Sequence, residues 1–255
     1  MNRQKGKHIL FKKRSLLFLF IFFLLFLFSP INAIALEIKK HDFNGMNILH
    51  VERHNLPIVA ITLLIEASPL QEPVDKAGLA YITSSMLTEG TMNRTATEIS
   101  EEIEFIGASL DVSTNSDYTV VSLSVLKKDV EKGMEIFSDV LLNPSFSEDE
   151  LKKKKDLIKG SLRQSEENPS FIAEKAFIKE VFERHPYGRL VTGSIETIDN
   201  INRDDIISFF REYYRPENSI LSVVGNITSE ELDSLINKYL GQWRSGEKII
   251  SRERE

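Results

Sequence analysis

The 255-residue sequence contains no cysteine. That excludes disulfides, thiolate metal sites, cysteine nucleophiles and a lipid-modified cysteine behind a leader. Histidine is scarce: His41, His50, His54 and His185 are the only ones beyond residue 35. Little imidazole is therefore on hand for metal ligation or acid–base work. Positive charge is outweighed, with 32 Lys and Arg against 38 Asp and Glu. An acidic chain of this kind is a poor partner for nucleic acid or an anionic membrane. The run Lys152–Lys155 does not change this, because Glu148, Asp149, Glu150 and Asp156 surround it on an expected helix.

The exception to the acidic balance is the N-terminus. Arg3, Lys5, Lys7, Lys12, Lys13 and Arg14 form a basic stretch without an acid. The apolar run at 16–28 follows, Ser29-Pro30 breaks it, and Ala33-Ile34-Ala35 fits a small-residue cleavage site. The segment 1–35 reads as a secretory signal, with an uncleaved N-terminal anchor as the alternative. At 13 residues the run falls short of the ~20 that span a bilayer as a helix. Cleavage removes six positive charges and takes the net charge from −6 to −12. The expected location is exported, periplasmic or secreted, with anchoring through 16–28 if the segment stays.

Hydrophobic periodicity predicts an α+β fold, a mostly antiparallel sheet packed by helices. Strands are expected at 36–43, 46–53 and 57–66. Asn44-Gly45 marks a tight hairpin and His54-Asn55-Leu56-Pro57 a looser second one. A helical stretch at 76–87 is followed by one capped by Thr95 or Thr97 and ended by Gly107. A second hairpin is expected at 109–114 and 118–126, then an amphipathic helix at 127–142. Ser147 caps a long helix to about 167 in a capping-box spacing with Glu150. Further helices are expected at 171–183, 203–213 and 229–240, with a buried strand at 219–224.

One stretch carries a family frame. Ala77-Gly78-Leu79-Ala80-Tyr81-Ile82-Thr83-Ser84-Ser85-Met86-Leu87, closing on Gly90-Thr91, resembles the zinc-binding helix of the pitrilysin/insulinase metallopeptidases. Their inverted motif His-x-x-Glu-His sits between similar flanks. The likeness runs over roughly 36–243. Leu56-Pro57-Ile58-Val59, Asn143-Pro144-Ser145-Phe146, Glu166-Glu167-Asn168-Pro169, His185-Pro186-Tyr187-Gly188, Tyr213-Tyr214-Arg215-Pro216-Glu217-Asn218 and Val223-Val224-Gly225-Asn226 follow in the family's order. The resemblance implies an insulinase-like peptidase domain at 36–243 and a linker or tail from 244. The chain looks like the N-terminal domain of a bacterial non-catalytic subunit.

The chemistry departs from the frame. In the resemblance, Tyr81 and Ser85 occupy the two His ligand positions, Ser84 the position of the catalytic Glu, and Ser161, or Gly160 in the neighbouring register, the position of the third ligand, a Glu. Lys154 stands where a supporting acid is usual. Zinc hydrolysis needs charged or imidazole ligands and a carboxylate base, so no metal or catalytic residue is expected here. Tyr81 reads as a filler of the vacated space, bonding Ser85 or Ser161. No Gly-x-Ser-x-Gly elbow supports Ser84 or Ser85 as a nucleophile. His50, Glu52 and His54 alternate onto one strand face. His50 and His54 lie too far apart on a strand, about 13 Å, to share an ion. They read as exposed polar residues near a turn.

What the resemblance implies is a non-catalytic partner that forms a peptide-holding chamber with an active, zinc-bearing homologue. Zinc is then expected in the partner alone. The alternatives are an active zinc endopeptidase with unrecognised ligands, and a structural envelope protein without a proteolytic partner.

Overall fold

The computed structural model describes residues 37–246. The expected leader at 1–35 and most of the tail at 244–255 lie outside the described residues. Six strands form one sheet: β1 Lys39–Phe43, β2 Met46–Glu52, β3 Ile58–Ile65, β4 Ser109–Thr114, β5 Thr119–Leu126 and β6 Ser219–Gly225. Their spatial order is β1-β2-β6-β3-β5-β4, and every pairing except the parallel β2–β6 pair is antiparallel.

The β1–β2 hairpin closes as its turn residues dictate. Asn44 and Gly45 both hold positive φ, 52° and 84°, which a two-residue hairpin of the expected hand requires. The second expected hairpin does not form. β6, distant in sequence, inserts between β2 and β3 and pairs with both. Its alternate residues Leu221 and Val223 are buried, so the sheet gains more from a central apolar strand than from a local β2–β3 pair.

Eight α-helices lie among the described residues: α1 Leu79–Ser85, α2 Ala96–Phe105, α3 Val130–Leu142, α4 Glu148–Ser165, α5 Pro169–Phe182, α6 Ile195–Asn200, α7 Arg203–Tyr213 and α8 Ser229–Leu240. Thr95 caps α2 in a full capping box with Glu98. Ser147 caps α4 through the Glu150 amide, but the Glu150 side chain pairs with Lys153 instead of closing a box. The six-residue α6 has no counterpart in the sequence expectations.

Inward residues of the strands (Ile61, Leu63, Val121, Leu123, Leu221, Val223) and apolar residues of the helices (Ile82, Met134, Phe137, Ile206, Phe209, Ile236) make one continuous buried cluster. At about 25 cal/mol per Å² of apolar surface, that cluster is the main source of stability. The motif helix α1 sits inside it, with Leu79, Ala80 and Ile82 buried.

Candidate functional site

The entry to α1 is built from the backbone outward. Gly78 takes φ 98°, and a Cβ there would lie 2.8 Å from the Thr192 carbonyl oxygen, so glycine is required. The carboxylate of Glu72 accepts hydrogen bonds from the Gly78 and Ala80 amides, each at 3.0 Å. It thereby satisfies orphan donors at the start of the helix. Glu72 is buried, and burial raises its carboxyl above the usual range despite those bonds. The sequence reading missed Glu72; an acid beside Pro73, six residues ahead of a helix-opening glycine, was the available signal.

The exit is held as firmly. Thr91 donates to Asp139 at 2.7 Å, Asn93 to Asp139 at 2.6 Å, and Asn143 to Asp139 at 2.9 Å. Arg94 reaches Asp139 at 2.7 Å and Glu102 at 3.0 Å and pairs also with Glu135. Burial works to raise the Asp139 carboxyl, but these hydrogen bonds outweigh it and hold it low. The Gly90-Thr91 turn of the motif frame is thus clamped to α2 and α3.

Between entry and exit stand three of the four positions of interest, Tyr81, Ser84 and Ser85; the fourth, Ser161, is on α4. Ser84 is buried; its hydroxyl donates to the Tyr81 carbonyl at 2.8 Å and accepts from Thr114 of β4 at 2.7 Å. Thr114 also meets Thr119 at 2.8 Å, and Thr119 donates to the Ala67 carbonyl at 2.8 Å. Ser85 donates to the Ile82 carbonyl at 3.0 Å. Tyr81 is half-buried against the core. Its expected bond to Ser85 or Ser161 does not form, because Ser85 turns to its own helix and Ser161 is exposed on α4. Lys154, seven residues earlier on α4, forms an ion pair with Glu89, just past the motif helix.

Those side chains do not fit zinc. They are uncharged alcohols and a phenol, and the hydroxyls of Ser84 and Ser85 are already spent on backbone carbonyls. Among the described residues no three His, Cys, Asp or Glu side chains gather closely enough to hold a metal ion. Nor does the geometry offer Ser84 a general base, since its partners are a carbonyl and another hydroxyl.

The β2 cluster needs a correction. His50 is fully buried, not an exposed residue at a turn. Its Nε2 meets the Ile227 carbonyl at 3.1 Å and its Nδ1 lies 3.4 Å from Ser229 Oγ. His50 shares the inward face with Met46 and Ile48, and that alternation carries it into the core. Glu52 accepts from Lys39 at 2.6 Å and from the Ser229 amide and hydroxyl, capping α8. Those bonds, Lys39 foremost, pull its carboxyl down to about 2. His54 lies 3.5 Å from Glu52 and is exposed. The group is a structural tie between β1, β2 and α8.

Comparison with known proteins gives the same frame. A family model described as Insulinase (Peptidase family M16) matches residues 47–194, and one described as Peptidase M16 inactive domain matches 200–255. An "Uncharacterized zinc protease" of Rickettsia bellii is 30% identical over 205 residues, 80% of this chain and 50% of that protein. Human cytochrome b-c1 complex subunit 1, mitochondrial, is 24% identical over 212 residues, 81% of this chain and 43% of that protein. The chain spans about half the length of the curated relatives it matches. Among solved structures, a peptidase M16 inactive domain from Pseudomonas fluorescens superposes with a TM-score of 0.80 at 23% identity, over 84% of this chain and 52% of that one. The periplasmic protease PqqL from Escherichia coli superposes at 0.75 and 20% identity, over 85% and 25%. With a family model matched over more than half its length and the element order of that fold, the chain belongs to peptidase family M16, the insulinase family.

Proposed function

We propose that this chain is a non-catalytic member of its family, a partner subunit that helps hold peptide for an active, zinc-bearing homologue. The observation that carries the reading is the donor set on the motif helix and at Ser161 of α4. Tyr81, Ser84, Ser85 and Ser161 offer only neutral hydroxyls where the family's ligands and base stand, and Ser84 is tied into the fold by Thr114. A divalent ion finds no charge to replace its water there.

What remains is a surface suited to an extended chain. β4 is one of the two edge strands of the sheet, and its last residue Thr114 bonds to the motif helix. An edge strand can pair with a peptide backbone through main-chain hydrogen bonds without any metal. In this reading residues 1–35 direct export, 36–243 form the peptidase-like domain and 244–255 begin a linker. The periplasmic location of the structurally similar protease PqqL supports the export part. A second reading, a structural subunit with no proteolytic partner, is favoured by the relative named as a cytochrome b-c1 complex subunit.

Co-purification from the native source, with metal analysis, tests the proposal. Zinc and a homologous peptidase in the complex, with none in the isolated chain, is the expected result. An isolated chain that retains stoichiometric zinc after dialysis and cuts peptides in a chelator-sensitive way overturns it.

A further inference from the structure

The loop that leads into α1 lies along the segment that follows α5, and the two are stitched together. Thr197 donates to the Ala77 carbonyl at 2.7 Å, Asn200 to the Asp75 carbonyl at 3.1 Å and Arg189 Nη2 to the Pro69 carbonyl at 3.2 Å. The approach is so close that a Cβ at Gly193 would lie 2.1 Å from the Ala77 carbonyl oxygen. Within this seam Arg189 is left short of acceptors. Its Nε and Nη1 are closed to solvent and neither has a hydrogen-bond partner, so among the described residues the guanidinium bonds to the Pro69 carbonyl alone. An amine could shed its proton to escape that cost, but a guanidinium stays charged. Unmet buried donors are expensive, and more so on an ionised group.

Glu72 is the complementary half. It is only 6% exposed, and each carboxylate oxygen accepts one amide, Oε1 from Gly78 and Oε2 from Ala80. An ionised carboxylate oxygen has room for a second donor. Burial raises the Glu72 carboxyl, and the nearby charge of Arg189 is among the influences that pull it back. Yet no guanidinium nitrogen donates to either oxygen. Unmet donors and spare acceptors thus face one closed seam without touching. Water is the small molecule that can accept from the first and donate to the second, and a buried water typically makes about three such bonds.

We propose that at least one ordered water is bound between Arg189 and Glu72, accepting from Nε or Nη1 of the guanidinium and donating to the carboxylate. A neutral molecule suits the place, because a positive and a negative group face each other there and leave no net charge to hold an ion. The bridge completes a run of hydrogen bonds from the Pro69 carbonyl through Arg189, water and Glu72 to the Gly78 and Ala80 amides at the start of α1. Arg189 is then a positioning residue for the motif helix, acting through Glu72. The same bridge fastens the loop before α1 to the His185-Pro186-Tyr187-Gly188 segment, two stretches that are far apart in sequence. The inference goes beyond the peptide-holding reading and does not depend on it.

A crystal structure of the purified full chain, at a resolution that shows ordered water, reads the site directly. The expected result is a water within about 3.2 Å of both an Arg189 nitrogen and a Glu72 oxygen. A guanidinium in direct contact with Glu72, or one turned out to bulk solvent, overturns the proposal. Amide exchange reads the positioning role. Arg189→Met should speed exchange at Gly78 and Ala80 more than about tenfold beyond any change in global unfolding. The Glu98 amide, held by the Thr95 cap of α2, should not follow. Arg189→Lys keeps a cation that water can bridge and should restore part of the protection. In a Glu72→Gln background Arg189→Met should add little, because the bridge is already broken; fully additive effects overturn the role. Should Arg189→Met fail to fold, Arg189→Lys in the same background supplies the comparison. None of these outcomes bears on zinc content or partners, so failure here leaves the peptide-holding reading standing.

Discussion

The hydroxyl of Ser84 accepts a 2.7 Å hydrogen bond from Thr114, while Thr83, one residue earlier, has a buried hydroxyl without a partner. Two adjacent alcohols on one helix should therefore respond to removal with opposite sign. Ser84→Ala loses a buried bond that ties α1 to the edge strand and should cost about 1 kcal/mol. Thr83→Val removes an unsatisfied donor at nearly constant shape and should gain about 0.5–1 kcal/mol. Urea titration of the two variants, with unchanged slope, measures both. A shared sign would show that Ser84 packs and does not bond.

The placement of the motif can be tested by restoring it. The combined change Tyr81→His, Ser84→Glu, Ser85→His and Ser161→Glu rebuilds the ligand and base chemistry of the family. It should bind zinc with an affinity the wild type lacks, read by equilibrium dialysis with metal analysis. The ion pair of Lys154 with Glu89 places a cation one helix away, so adding Lys154→Glu should tighten binding further. A folded variant that takes up no metal would mean the four positions are misregistered.

The clamp at the exit of α1 predicts a larger loss. Asp139 is buried and pairs with Arg94, which also holds Glu102 and Glu135. Arg94→Met leaves the buried Asp139 carboxylate without its cation, while Glu102 and Glu135 keep only Lys132. The expected cost is about 3 kcal/mol. Asp139→Asn in the same background should recover part of it, because the amide oxygen keeps neutral donors in Asn93 and Asn143. Thermal unfolding of the single and double variants supplies the coupling.

Local signals in the sequence were enough for much of the frame. Asn44-Gly45 specified its turn, the caps at Thr95 and Ser147 set two helix starts, and α7 and α8 have the expected bounds. Non-local choices were not legible. The entry of β6 between β2 and β3 is decided by which strand buries more apolar surface, and no neighbouring residue encodes that. His50 is a different miss. Met46, Ile48 and His50 alternate onto one face, so its burial was readable, but its polarity suggested the surface. At the motif helix the hydroxyl residues Tyr81, Ser84 and Ser85 were plain in the sequence. The contacts made there, Ser84 to Thr114 and Lys154 to Glu89, depend on tertiary structure.

Buried His50 gives the pH dependence. Burial, its largest influence, lowers its pKa from the ordinary 6.5, although the Ile227 carbonyl and Glu52 pull the other way and Lys39 and His41 add to the lowering. In the unfolded chain the ring takes a proton near pH 6.5, while in the folded chain it does not until lower pH. Across that window the unfolded state binds more protons, so stability rises with pH and is lost as pH falls below about 6.5. Glu52 adds a second acid loss further down, as pH drops from the ordinary carboxylate range toward about 2. His50→Gln keeps a hydrogen-bonding group without the titration. It should lower stability at neutral pH but flatten the dependence between pH 6.5 and the carboxylate range, leaving the lower slope in place. Chemical denaturation at a series of pH values reads both slopes. An unchanged upper slope in His50→Gln would assign the acid loss to another group.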